Sequence, residues 1–151
     1  MHSLVRRYVK TAIGFLLAGL AIGSWMVVRR ELWGRHPSPY ETSAHTHALL
    51  VGFVMLMILG VALWLFPRPD REDARYRPAL ADAAYWLVAL GTGGRVAGEL
   101  ARVEVTALWL RALVVACSLM QVAGIALFFH TMWGRIRGVG SQTREARGER
   151  F

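Results

Sequence analysis

The chain has 151 residues, of which 55% are hydrophobic, and it carries a formal net charge of +8. This combination is typical of a small membrane protein with basic ends and argues against a soluble globular domain. Nucleic-acid binding is disfavoured as well, because no basic patch alternates with aromatic residues on a soluble module. The sequence therefore predicts a protein whose main partner is the lipid bilayer.

Four stretches are apolar enough to span a bilayer, which requires about 20 residues. They cover residues 9–28, 39–66, 79–100 and 106–133. We predict an all-α fold, an integral membrane four-helix bundle over residues 1–133 in a bacterial plasma (inner) membrane, followed by a basic cytoplasmic tail over 134–151. Basic residues before the first stretch imitate a signal peptide, but the three later spans favour an anchored helix.

The distribution of basic residues predicts the orientation, because Lys and Arg near span ends are retained in the cytoplasm. If the N-terminus is cytoplasmic, most of the basic residues lie on the cytoplasmic side. The outer ends then hold only Arg29, Arg30, Arg35, Arg95, Arg102 and Arg111. Both termini are therefore predicted to be cytoplasmic.

Prolines and a capping motif predict where two of the helices begin. Ser38-Pro39-Tyr40-Glu41 has the pattern of a capping box with proline at the first helical position, so the second helix should begin at Pro39. Pro67 and Pro69 should end it, and Pro78 should begin the third helix.

The segment SAHTHALLVG places His45 and His47 about two turns inside the second helix. An ionisable residue within a membrane span is a functional hypothesis by default. The alternative is that both imidazoles are neutral and hydrogen-bond neighbouring helices. Two residues on a helix correspond to about 200° of rotation, so the rings leave on nearly opposite sides and cannot bind one ion together. The spacing suits two planar cofactors or two different neighbours, and disfavours a zinc pair.

A longer run around these histidines, AHTHALLVGFVMLMILGVALWLFPR, resembles the tenth transmembrane helix of subunit I of the haem-copper oxidases, in particular the cbb3 and nitric-oxide-reductase types. Shared features are the alanine before the first histidine, Gly60 and Pro67. The run FFHTMWGRIR is similar to the end of the last helix of that subunit. The resemblance implies that His45 occupies the position of a high-spin-haem ligand and His47 that of a low-spin-haem ligand. The family subunit has twelve spans, so this chain would be a four-helix version.

Local spacing favours one histidine over the other. Ala48 and Gly52 follow His45 at i+3 and i+7, so the face beside His45 is small and admits a flat macrocycle. Larger aliphatic side chains follow His47. If only one histidine binds haem, the packing favours His45, but both are kept as candidates for the iron.

Arg95 is the predicted partner of the haem propionates, because it is the deepest of the outer arginines. It lies in GTGGRVAGE, whose glycines have a GxxxG spacing and let another helix or a macrocycle approach closely. An equal alternative is helix packing together with an Arg95 and Glu99 pair at i, i+4.

The remaining histidines are weaker candidates. His130 should lie near the cytoplasmic end of the fourth helix, far from the other pair along the membrane normal. His2 and His36 fall outside the spans. The single Cys117 excludes an intrachain disulfide and a thiolate metal cluster.

A six-coordinate haem needs a second axial ligand. Met26, Met55 and Met57 are candidates, although methionines on helices are more often packing residues. The other route is a homo-oligomer in which histidines of two subunits hold one haem. The twelve helices of the resembling subunit are arranged as three groups of four, which favours a trimer by analogy.

The sequence fits three classes of function to different degrees. The first is a b-type haem protein for electron transfer or for binding O2 or NO. The second is a non-catalytic accessory or assembly subunit of a respiratory oxidase, with structural histidines. The third, a small transporter, has too few intramembrane carboxylates. The chain lacks the ligands of a copper site, so copper is not supported and the protein is not a complete oxidase. It would serve as an electron-transfer component beside a respiratory electron carrier or oxidase subunits.

Overall fold

The computed structural model describes residues 3–66, 77–136 and 147–148, and these residues form helices and turns without any strand. The helical elements are α1 (Ser3–Trp33), α2 (Pro39–His47), a π-helical segment (Ala48–Met55), α3 (Leu56–Leu65), α4 (Pro78–Ala101), α5 (Leu108–Met132) and a final 3-10 turn (Trp133–Arg135). Because α2, the π-helical segment and α3 follow one another without a break, the described residues form four rods. The all-α prediction is confirmed.

Three of the four rods are long and apolar enough to cross a membrane: Ser3–Trp33, Pro39–Leu65 and Leu108–Arg135. Their outward faces are apolar too, as shown by Leu17, Leu50 and Leu119, which are each more than half exposed. Helices that are apolar on all faces suit a lipid environment. The remaining rod, α4, is about 36 Å long, but glycines and charged side chains interrupt its apolar surface. The four-span arrangement and the cytoplasmic termini stay predictions.

The helix starts lie where the sequence predicts them. The Ser38 hydroxyl accepts a hydrogen bond from the Glu41 backbone N–H at 3.2 Å, and the Glu41 carboxylate accepts one from the Ser38 N–H at 2.8 Å. These two bonds form the capping box, and α2 begins at Pro39. Pro78 begins α4. The predicted stop at residues 67 and 69 lies outside the described residues, and α3 ends at Leu65.

The four rods form two tightly packed hairpins. The first joins α1 to the rod that runs from α2 through α3, and the second joins α4 to α5. Glycines set the close approach in the second hairpin: a Cβ on Gly91 would lie 2.8 Å from the Cys117 carbonyl oxygen, and one on Gly94 would lie 2.6 Å from the Cys117 sulfur. Of the two uses predicted for these glycines, the structure shows helix packing.

A shared core and the Arg7–Asp82 ion pair between α1 and α4 join the two hairpins, and an Arg29–Glu41 pair lies within the first hairpin. Tyr8, Leu56, Val88 and Phe128 are almost completely buried in one cluster that joins all four rods. One end of the bundle, where the last turns of α1 and α4 meet α2, carries His45 and His47, and we call it the histidine end. An Arg29–Glu41 pair lies there and an Arg7–Asp82 pair lies at the opposite end.

The basic segment after the fourth rod begins inside the bundle. Arg135 is buried, and its guanidinium donates to the Leu63 carbonyl at 3.1 Å and to the Phe66 carbonyl at 2.9 Å. The Leu63 carbonyl belongs to the last turn of α3, where carbonyls lack an acceptor role within the helix, and Phe66 is the residue that follows this helix. The predicted tail from residue 134 therefore starts with a residue that packs against α3, and residues 137–146 and 149–151 lie outside the described part.

Candidate functional site

His45 faces α1. Its Nδ1 lies 2.9 Å from the Gly19 carbonyl oxygen. Because a carbonyl only accepts, Nδ1 must carry the hydrogen and donate it. The ring rests on Gly23, where a Cβ would lie only 2.7 Å from the imidazole Cε1. Gly19 and Gly23 thus form the surface of α1 on which His45 lies.

His47 faces α4, on the other side of the rod. Its Nδ1 lies 2.8 Å from the Ser43 carbonyl oxygen one turn earlier and therefore also carries a hydrogen. On α4, Glu99 Oε2 lies 3.8 Å from His47 Nδ1. The two rings thus contact two different neighbouring helices, as their spacing of two residues predicts.

A buried carboxylate lies between α2 and α4. Glu99 is 4% exposed. Its Oε1 accepts a hydrogen bond from the Ser43 hydroxyl at 2.8 Å and another from Arg95 Nε at 3.0 Å. Its Oε2 is buried and has no hydrogen-bond partner among the described residues. Of the two roles predicted for Arg95, the i, i+4 pair with Glu99 is formed. Contact with a propionate stays a prediction.

The small face beside His45 is covered by α4 at Ala48 and by α1 at Gly52. Ala48 is completely buried and packs with Val96. A Cβ on Gly52 would collide with the Phe15 side chain, so this glycine provides space for Phe15. The prediction that Ala48 and Gly52 admit a macrocycle is not tested by this packing, but a macrocycle on this face would have to displace Phe15.

The helix widens directly after His47, which the sequence analysis did not predict. In the π-helical segment Ala48–Met55, hydrogen bonds reach back five residues, and the last of them joins the Leu56 N–H to the Val51 carbonyl. Such segments are rare and frequently lie at functional sites. Here the widened turn carries Gly52 and its contact with α1.

An open cleft of about 710 Å³ lies at the histidine end. Its walls combine the aromatic side chains of Trp25 and Trp33 with charged groups, among them Arg35 and Glu104. Neither His45 nor His47 lines it. The two imidazole rings therefore do not form part of the walls of this cleft.

The other predicted candidates are distant or already packed. His130 is exposed at the opposite end of the bundle and His36 is exposed beyond α1. His2 lies outside the described residues. Met55 and Met57 pack against the shared core. In the part of the chain that the structure describes, no group of three or more His, Cys, Asp or Glu side chains is placed to hold a metal ion.

Sequence analysis missed the surface of α1 that receives His45. The signal was present, because Gly19 and Gly23 form a GxxxG pair in the run GLAIG. Ser43 was missed as well, and only the fold brings it to Glu99. No family model, curated protein or solved structure matches this chain, so the interpretation of the site depends on its own geometry.

Proposed function

We propose that this chain is a multi-pass protein of a bacterial plasma membrane that binds a b-type haem through Nε2 of His45, of His47, or of both. One observation supports the proposal: both imidazoles donate Nδ1–H to a backbone carbonyl. In a neutral imidazole this leaves the lone pair on Nε2. Histidines that ligate metals almost always have their other ring nitrogen held in this way.

The imidazole nitrogens are suitable ligands for haem iron. The other parts of a haem site would come from residues other than these two histidines. Both histidines are only partly buried, and we propose that Nε2 of each ring meets a group bound at the surface of one subunit. We propose a homo-oligomer, a trimer by analogy with the resembling twelve-span subunit, in which a neighbouring subunit covers this surface. Arg95 is the proposed cation for a propionate. Four spans with cytoplasmic termini complete this arrangement.

Haem bound in this way supplies one-electron transfer when both axial positions are filled, and binding of O2 or NO when one position stays open. The role of the chain is to hold the iron, to fix the direction of the imidazoles and to exclude water. Its redox partner would be a respiratory electron carrier or a subunit of a respiratory oxidase. The chain is not proposed to reduce O2 or NO by itself.

The test is a visible spectrum of detergent-purified protein, oxidised and dithionite-reduced, with and without carbon monoxide. His45→Ala and His47→Ala should each lower the haem content if both histidines are ligands, whereas the matched control His130→Ala, at the exposed opposite end, should keep it. A band shift with carbon monoxide identifies an open position, and sharp unmoved bands identify two axial ligands. Full haem content in both variants would show that the site is assigned to the wrong residues.

A second function is favoured by the contact between His45 and α1. The Gly19 carbonyl and the space above Gly23 hold this ring in the way expected of a histidine that joins two helices. The chain would then be a non-catalytic accessory or assembly subunit of a respiratory oxidase. A colourless protein after expression with ample haem would favour this function. A monomeric native mass with haem retained would instead refute only the oligomer.

A further inference from the structure

Among the described residues, the buried Glu99 carboxylate has an oxygen atom without a hydrogen-bond partner at the contact between α2 and α4. A buried acceptor left without a hydrogen bond is destabilising, so each one in a folded protein calls for an explanation. Glu99 Oε2 is the buried side-chain atom in this position among the described residues. The imidazole nitrogen His47 Nδ1 lies 3.8 Å from it.

Three groups around His47 Nδ1 favour a hydrogen on that nitrogen. The Ser43 carbonyl accepts its N–H at 2.8 Å. The Ser43 hydroxyl oxygen lies 3.3 Å away, and because its own hydrogen is donated to Glu99 Oε1, it turns a lone pair towards the ring. The negative charge of Glu99 adds an attraction that is strong in a buried site. Arg95 holds the carboxylate in place through Oε1.

We infer that Glu99 is a positioning residue that fixes the tautomer of His47, keeping the hydrogen on Nδ1 and the lone pair on Nε2. The inference deepens the proposed haem function and rests on it for its purpose, because only Nε2 in this tautomer can ligate iron. It also accounts for the unpartnered oxygen: Oε2 acts through its charge on the Nδ1 side of the ring. Removal of that charge should let the hydrogen move to Nε2.

The test measures the tautomer in the full-length, haem-free protein. Long-range proton–nitrogen correlation spectra of the histidine-labelled protein in micelles report which ring nitrogen carries the hydrogen, and His47→Ala assigns the signal. Wild type should show the hydrogen on Nδ1. In Glu99→Gln the fraction with the hydrogen on Nε2 should rise at least threefold. The matched control is Glu104→Gln, which removes the same charge from an exposed turn beyond α4 and should leave the spectrum unchanged.

A second variant guards against misfolding, because Glu99→Gln leaves Arg95 without its partner. Glu99→Gln combined with Arg95→Gln removes both charges and should give the same rise. If both variants show the wild-type spectrum, the inference is overturned. Haem titration of the same samples separates the two proposals: a tautomer shift in a protein that binds no haem refutes only the haem function, and haem binding without a tautomer shift refutes only the role of Glu99.

Discussion

Substitution of Gly23 by alanine tests the contact between His45 and α1. The new Cβ would lie 2.7 Å from the imidazole Cε1 and 3.1 Å from Nδ1. Both distances are shorter than van der Waals contact, so the ring must move away from the helix. The hydrogen bond from Nδ1 to the Gly19 carbonyl, now 2.9 Å long, would be lost with it.

The expected loss of stability follows from three contributions. Overpacking at a tight contact is destabilising by about 1–3 kcal/mol. The lost hydrogen bond between two membrane helices adds about 0.6 kcal/mol. The higher helix propensity of alanine offsets about 0.5–1 kcal/mol. The free energy of unfolding should therefore fall by about 2 kcal/mol in Gly23→Ala.

Gly14 provides a matched control on the same helix, because a Cβ there would meet nothing within 4 Å. Gly14→Ala should leave the protein as stable as wild type or slightly more stable. Unfolding by sodium dodecyl sulfate in mixed micelles, followed by tryptophan fluorescence, measures the free energy for each variant. In a His45→Ala background the effect of Gly23→Ala should largely disappear, since no ring remains to be displaced. Equal stabilities of Gly23→Ala and Gly14→Ala would refute the packing argument.

Three further predictions, one of them with a matched control variant, are tested by the same unfolding assay. Gly91→Ala should lower stability by about 1–3 kcal/mol, because its Cβ would press on the backbone of α5. Gly93→Ala should be neutral, because its Cβ would lie 3.8 Å from the Phe15 ring, an ordinary contact. Equal effects of the two variants would contradict the prediction that Gly91, and not Gly93, faces α5. Arg135→Ala should lower it by about 1.5–3 kcal/mol and speed amide exchange at the end of α3, since the guanidinium binds the last carbonyls there. Gln121→Leu removes a 3.0 Å hydrogen bond to a hydroxyl on α4 and should change stability by no more than about 0.6 kcal/mol; a loss above 2 kcal/mol would show that this buried bond matters more than membrane-helix bonds usually do.

Local sequence signals predicted the helices well. Capping at Ser38 and proline at the first helical position act within one turn, so they are readable without the fold. The opposite directions of His45 and His47 also follow from helix geometry alone. Apolar runs predicted four spans, and three of the described helices are long and apolar enough to cross a membrane. These three were predictable because length and hydropathy are properties of each segment by itself.

Contacts between helices were harder to predict. The sequence did not predict that Gly52 receives the Phe15 side chain of α1. Small residues admit any close neighbour, and a sequence does not say which helix will be near. The environment of Glu99 depends likewise on Ser43, which lies 56 positions away in the chain. The contacts of Gly52 and Glu99 are therefore determined by how the helices pack against one another.

The π-helical segment determines the directions in which the side chains of α3 point relative to those of α2. Each residue of an α-helix turns the chain by about 100°, so the wider turns shift the faces of α3 relative to those of α2. In this phase Gly60 meets α1, where a Cβ would lie 2.8 Å from the Tyr8 Cβ. Deleting one residue from Ala48–Met55 would restore an ordinary pitch and turn α3 away from this contact. The π-helical segment thus allows a single rod to place two residues against α1: His45 near one end of the bundle and Gly60 near the other.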